Sequence, residues 1–328
     1  MWFILVPLLA VLALNLPLNF LRRLALPVSL LFVVAQALKL VGLLPCCCCC
    51  AGCAKIQAFP LVLDGLGQTL LLSIAIVAFA ALLVAQATVA DERRRFQFIN
   101  LILLVVAGMN GLVLVRDLFS LYVFIEIASI ASFVLIAFEK DMAGLEGSFK
   151  YLVMSAVATA LMLSATALLL MISGSTHFMV VAEALQANTH NGLILLALGL
   201  FLGGLLIKSG IVPFHGWLPD AYSAAPNAAS VLIAGIVTKT TGVYALMRLV
   251  HDIFGFSGPV QALLLATGII SAVAGALAAL GQNDFKRMLA YSSISQVGYI
   301  VLGLGAGSPL GWAGAILHLF NHAIFKTL

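Results

Sequence analysis

An all-α, polytopic transmembrane bundle is the fold this sequence predicts, and three observations carry it. Of 328 residues, 63% are hydrophobic and 9% charged, against roughly 25% charged in soluble domains. Mean hydropathy is +1.19. Apolar runs near 20 residues recur along the whole length. In hydrocarbon every backbone N–H and C=O must bond internally, so runs of that length are helices. No period-2 alternation is present, which excludes a barrel.

Taken in order, runs bounded by charge, Gly or Pro give spans at 2–19, 25–45, 66–89, 97–115, 118–138, 148–173, 192–216, 227–250, 259–280, 287–306 and 310–328. The first lacks a basic leader and a small-residue cleavage site, so it reads as a retained span. The last is still apolar at Leu328, so the chain is expected to stop inside a helix. The run Cys46 to Cys50, followed by Cys53, reads as a low-complexity span end, because neighbours in such a run cannot all reach one metal.

The formal net charge is +4, with basic residues in short clusters at span ends, as topology signals are and nucleic-acid patches are not. Loops after odd-numbered spans hold Arg22, Arg23, Arg93, Arg94, Arg95, Lys140, Lys150, Lys286 and Arg287. The alternate loops hold Lys55, Arg116 and Arg248. This bias puts the odd loops in the cytoplasm and the N-terminus outside. The linker from Gly174 to Asn191 then lies on the outer side.

Ionisable groups within a span cost at least about 2.5–3.5 kcal/mol each at the bilayer centre, so those that persist face a protein interior or a wet cavity. Four stand out: Glu126 in LFSLYVFIEIASIASFVLIAF, Lys208 in GLFLGGLLIKSGIVPF, Lys239 in SVLIAGIVTKTTGVYALM and Lys326 in HLFNHAIFKTL. Any one alone reads equally as a snorkelling or ion-paired side chain. Together they suggest a relay, since a buried amine or carboxylate keeps its charge only through its surroundings.

The span with Lys208 contains its own interruption. Pro213 donates no N–H and would free the Ser209 carbonyl, with Gly210 relaxing the backbone between them. Such a break either lines water or an ion, or is an ordinary proline kink. The segment VPFHGWLPDAYSAAPNAAS reads as re-entrant or interfacial, with Trp217 as an anchor. His215, beside Asp220, fits a relay and an interfacial histidine equally.

The tenth span carries Tyr291, Ser292, Ser293, Ser295 and Gln296, which fit interhelical packing or a chain of waters. In the eleventh, His318, His322 and Lys326 lie at i, i+4 and i+8, on one helical face. The His pair has metal-ligand spacing, but no Glu follows the first His, and a Lys shares the face, so no metal is expected. No nucleotide-binding glycine motif, flavin site or cluster pattern is present, so no cofactor is expected either.

With Glu126, the Lys208 break, LPDAYSAAPNAASVLIAGIVTKTTGVY, NDFKRMLAYSSISQVGY and HLFNHAIFKTL in that order, the sequence from about Gly108 to Leu328 resembles the antiporter-like proton-conducting family. These are membrane-arm subunits of respiratory complex I, D-type subunits of multi-subunit sodium/proton antiporters, and membrane subunits of energy-converting hydrogenases. The resemblance implies N-terminal helices at 1–96, a first inverted five-helix repeat at 97–251 and a partial second repeat at 258–328. Glu126, Lys208 and Lys239 match the family's glutamate on the fifth helix, its lysine on the broken seventh and its lysine on the eighth. His318, His322 and Lys326 match the polar face of the eleventh. Family members continue into a broken twelfth helix and further spans, which this sequence lacks.

The resemblance implies a proton-translocating subunit of a redox-driven pump of complex I type, in a prokaryotic inner membrane, with other membrane subunits and no nucleic acid as partners. In it Glu126 and Lys208 form a switchable ion pair, Lys239 receives the proton, His215 and water bridge the two lysines, and Lys326 with its histidines carries it onward. At about 4 Å and an effective dielectric near 20 such a pair is worth on the order of 4 kcal/mol before desolvation. The rivals are a sodium/proton antiporter component and a scaffold that does not conduct.

Overall fold

A computed structural model describes residues 1–15, 19–43, 61–187 and 192–328 of the protein. Cys46 to Cys50, Cys53 and Lys55 lie outside these. Among the described residues there are helices and no strand, apart from two isolated bridges, Leu61 with Val115 and Asp117 with His177.

The first six helices are α1 (Trp2–Leu14), α2 (Asn19–Leu40), α3 (Gly65–Thr88), α4 (Glu92–Leu114), α5 (Leu118–Ile136) and α6 (Met142–Ser173). Next come α7 (Phe178–Ala187), α8 (Gly192–Ser209) and a short α9 (Trp217–Ala224). A continuous helix over Asn227–Phe254 follows, beginning as α10 (Asn227–Leu232) and containing α11 (Ala245–Leu249). The chain ends with α12 (Gly258–Leu280), α13 (Phe285–Gly305) and α14 (Pro309–Thr327). Every expected span contains a helix. Nine of these, among the described residues, are long and apolar enough to cross a membrane. The 13 residues of α1 are too few, and α14 has the length but carries His318, Asn321, His322 and Lys326.

Helix starts follow from capping. The side chains of Asp64, Asp91, Asp117, Asp141 and Asp284 each accept a backbone N–H in the first turn of α3, α4, α5, α6 and α13. The sequence has seven aspartates, and only Asp220 and Asp252 do not cap a helix in this way. The cap at Asp141 starts α6 earlier than its apolar run suggests. At 32 residues this helix is about 48 Å long and reaches past a hydrocarbon core of about 30 Å.

Arg248 and Lys150, counted among the loop charges, lie within helices, and the 174–191 linker holds a helix of its own. The 174–191 linker contains α7, whose Phe178, Val181 and Leu185 are buried. Arg248, taken for a loop residue, lies inside the 227–254 helix and is buried. Lys150 likewise belongs to α6.

The buried centre is α4 together with the 227–254 helix, which has 83% of its most apolar window inside the protein, against 33% for α12. The N-terminal helices are fixed to this centre by an amide pair. Asn110 Nδ2 donates to Gln36 Oε1 (2.9 Å) and to the Phe3 carbonyl (3.0 Å), and Gln36 Nε2 donates to the Leu71 carbonyl (3.0 Å). These bonds tie α1, α2, α3 and α4 together where water cannot reach.

Candidate functional site

Lys208 sits one residue from the end of α8, and that end is a full stop rather than a kink. The Ile211 N–H reaches the Leu206 carbonyl (3.3 Å) and the Gly210 N–H reaches Ile207 (3.1 Å). Gly210 is at φ +66°. This is a Schellman closure, which terminates a helix at a left-handed residue. Pro213 therefore follows the stop and does not cause it; its side chain is exposed. After a turn, α9 resumes the path. The Trp217 indole N–H donates to the Ile207 carbonyl (3.2 Å), and its ring stacks on Tyr151 at 4.4 Å. Trp217 is thus buried in the break, not an interfacial anchor.

The Lys208 side chain is 2% exposed. Its Nζ donates to the hydroxyls of Ser129 on α5 (2.7 Å) and Ser155 on α6 (2.5 Å). No carboxylate lies within ion-pair distance of it among the described residues. Glu126, expected to close a pair with Lys208, instead lines a groove of about 380 Å3 between α5 and α6, with Tyr122, Leu152 and Thr159. The reason is position along the helix. Ser129 is three residues on from Glu126 and takes the position nearest the ammonium, one turn away.

Lys239 is fully buried in a helix that is π-wound over Ile233–Val237, Lys239–Tyr244 and Val250–Phe254. Such winding occurs mostly as short bulges at functional sites, and here it is extended. The Lys239 Nζ folds back onto the Ala234 carbonyl of its own helix. From α9, the Tyr222 hydroxyl meets the Thr238 hydroxyl at 2.8 Å.

The two lysine helices touch backbone to backbone. A Cβ on Gly242 would lie 2.5 Å from the Ser209 nitrogen. Only glycine allows this approach, which brings the residue after Lys208 against a position three after Lys239.

Across the π-wound stretch lies α14. His322 is fully buried, and neither ring nitrogen has a hydrogen-bond partner among the described residues. His318 and His322 are stacked with centroids 6.1 Å apart, and Tyr299 is 6.3 Å beyond His318. Lys326 donates to the Leu289 carbonyl (2.8 Å) and lines a cavity of about 330 Å3 with Tyr222, Ser230, Lys286 and Ser293. The structure thus brings the Lys208 and Lys239 segments into backbone contact and packs α14, which carries His318, His322 and Lys326, against the π-wound stretch, with Glu126 in a neighbouring groove.

The remaining predicted residues lie next to the break. Asp220 is held on both oxygens, by Lys150 Nζ (2.6 Å) and Arg287 Nη1 (2.8 Å), which clamps α9 between α6 and α13. His215 is half-buried; its Nδ1 has no partner among the described residues, and its ring is 6.5 Å from Tyr291. Ser292 and Gln296 are half-buried. Their neighbour Ser295 bonds across helices to the Ala272 carbonyl (2.8 Å).

A second charged cluster escaped sequence reasoning. Asp64, at the start of α3, pairs with Arg248 and with Arg116 Nη2 (3.4 Å). Arg248 Nε donates to the Tyr244 hydroxyl (2.7 Å), which in turn donates to the Val113 carbonyl (2.7 Å). Burial would raise the Asp64 pKa, but the Arg248 bond, the Gly67 N–H and the two arginine charges outweigh it and hold it at about 2. The legible signal was Asp64 placed just before an apolar run, an N-cap pattern.

Residues 115–328 match the family model described as NADH:quinone oxidoreductase/Mrp antiporter, TM. Among curated proteins, "NADH-quinone oxidoreductase subunit N" of Desulforudis audaxviator is 38% identical over 271 residues, 81% of this chain and 54% of that protein. The D-type component of a Na(+)/H(+) antiporter of Alkalihalophilus pseudofirmus is 35% identical over 268 residues, again 81% of this chain and 54% of the relative. The chain therefore spans about half the length of these relatives. Among solved structures, a chain of an archaeal respiratory membrane complex, the membrane-bound sulfane sulfur reductase, superposes with a TM-score of 0.86 at 28% identity, covering 99% of this chain and 68% of that one. The sequence motifs, the broken helix and these matches agree, and the protein is an integral membrane member of the NADH:quinone oxidoreductase/Mrp antiporter family.

Proposed function

We propose that the chain is a proton-translocating membrane subunit of a redox-driven pump of complex I type, working beside other membrane subunits. The observation that carries this reading is the pairing of Lys208 and Lys239. Both are buried without a carboxylate partner, on segments in direct backbone contact at Ser209 and Gly242. Two desolvated amines on touching segments keep their charge only through their surroundings, so each can take up and release a proton as those surroundings change. Glu126 sets the charge of Lys208 by approaching or leaving it. His322, His318 and Lys326 take the proton on, and His215, Ser292 and Gln296 border the water that connects them. Asp220 and Pro213 hold and shape the break.

The chain divides, on this reading, into N-terminal helices 1–96, a first antiporter-like repeat 97–251 and part of a second at 258–328. Its N-terminus faces out, and the membrane is a prokaryotic inner membrane. Lys208→Ala in the assembled complex tests the proposal. Pumping falls to background while assembly persists; pumping at the unsubstituted rate would exclude a central role for Lys208.

A second reading, sodium/proton exchange without electron transfer, is favoured by the 35% identity to a D-type antiporter component. In everted vesicles, proton efflux that requires sodium and persists without respiratory substrate would select it.

A further inference from the structure

At the arginine-rich end of the bundle, where α2, α3 and α4 meet, there is a cavity of about 180 Å3 that the proton tract does not use. Leu26 and Pro27, backed by the buried Phe96 and Ile99, form its apolar wall, and Arg23, Arg95, Glu92 and Gln86 its polar lining. Arg23 Nε pairs with Glu92 (3.4 Å), and Arg95 Nη1 donates to the Val89 carbonyl (3.4 Å). A guanidinium has five N–H donors, so most donors on both arginines have no protein partner among the described residues. The helices α2 and α4 begin at this end and α3 ends there, so the positive ends of two helix dipoles face the negative end of one. Asp91, the nearest other acid in sequence, is occupied as the α4 cap.

We propose that this cavity binds an anionic phospholipid of the adjoining leaflet, its phosphodiester on Arg23 and Arg95 and the start of an acyl chain against Leu26 and Pro27. Guanidinium forks match phosphate oxygens in bidentate geometry, and basic pockets between transmembrane helices suit lipid headgroups. The apolar wall favours a lipid over free phosphate, which would gain nothing from it.

The test is native mass spectrometry of the full chain in detergent, titrated separately with phosphatidylglycerol, phosphatidylcholine and inorganic phosphate. Phosphatidylglycerol binds in preference to phosphatidylcholine, and R23Q/R95Q weakens it roughly tenfold or more. R93Q/R94Q, which removes the same charge outside the cavity, weakens it less than about threefold. The Arg23 side chain is 80% exposed, so R23Q alone leaves the fold intact and gives an intermediate loss. Equal losses in both double variants would reduce the effect to diffuse charge. Inorganic phosphate binding with the same sensitivity to R23Q/R95Q would make this a free-anion site, and a co-purifying polypeptide lost in R23Q would make it a protein interface. Any of these overturns the proposal.

Discussion

The Lys208–Lys239 tract and the Asp64–Arg248 cluster use buried charge in opposite ways. Around Asp64 every ion has a counter-ion: two arginines share the carboxylate, Tyr244 bridges Arg248 to the backbone, and Asp252 stands 3.7 Å from Arg248 Nη1. Around Lys208 and Lys239 the partners are serine hydroxyls and a carbonyl. A compensated cluster resists change in protonation, and removing one member leaves the others stranded. An uncompensated amine gains or loses its proton with small changes nearby. The first arrangement holds helices together; the second is suited to moving protons.

The comparison can be broken first at the compensated end. Asp64→Asn leaves Arg248, whose side chain is 5% exposed, with only the longer contact to Asp252 at 3.7 Å. Removing one partner of a fully buried pair costs about 3–5 kcal/mol. Asp64 is 39% exposed, which screens the pair and reduces the expected loss to about 2–3 kcal/mol. Thermal unfolding in detergent reads this directly, with translocation per folded molecule retained.

Gly242→Ala probes the joint between the two lysine helices. Its methyl would enter the space of the Ser209 backbone, and such overpacking costs about 1–3 kcal/mol. Because Ser209 adjoins Lys208, translocation falls more than stability alone explains. Equal transport per folded molecule in this variant would show that the contact is packing only.

The smallest effect is on pH. The Asp64 pKa is depressed to about 2 from 3.8. The stability it contributes is therefore complete above about pH 4 and is lost as pH falls through about 2. An acid titration of wild type against Asp64→Asn shows two curves that converge only below that window.

The spans were legible because twenty apolar residues in a row admit little else, and the lysines because charge at that depth is costly. What remained hidden depends on contacts between distant segments. Ser129 and Ser155 are ordinary serines until α8 is placed between α5 and α6. Trp217 carries an interfacial signature, yet the break in α8 offers a carbonyl and an aromatic face that bury it. Pro213 drew attention as a breaker, whereas Gly210 and the closure around it had already ended the helix. Arg248 looked like a loop charge because the apolar run fades there, but the π-wound helix continues to Phe254. The π winding itself has no local sequence signal that we could identify.

The most direct test compares Lys239→Met with Asp64→Asn in the assembled membrane complex, measuring unfolding temperature and proton translocation per folded molecule in each. The account predicts that Lys239→Met loses translocation with its unfolding temperature unchanged or raised, since an apolar side chain replaces an uncompensated buried amine. Asp64→Asn, by contrast, loses stability and keeps translocation. If Lys239→Met still pumps while the protein unravels, Lys239 is a structural residue and the assignment of the two regions is reversed.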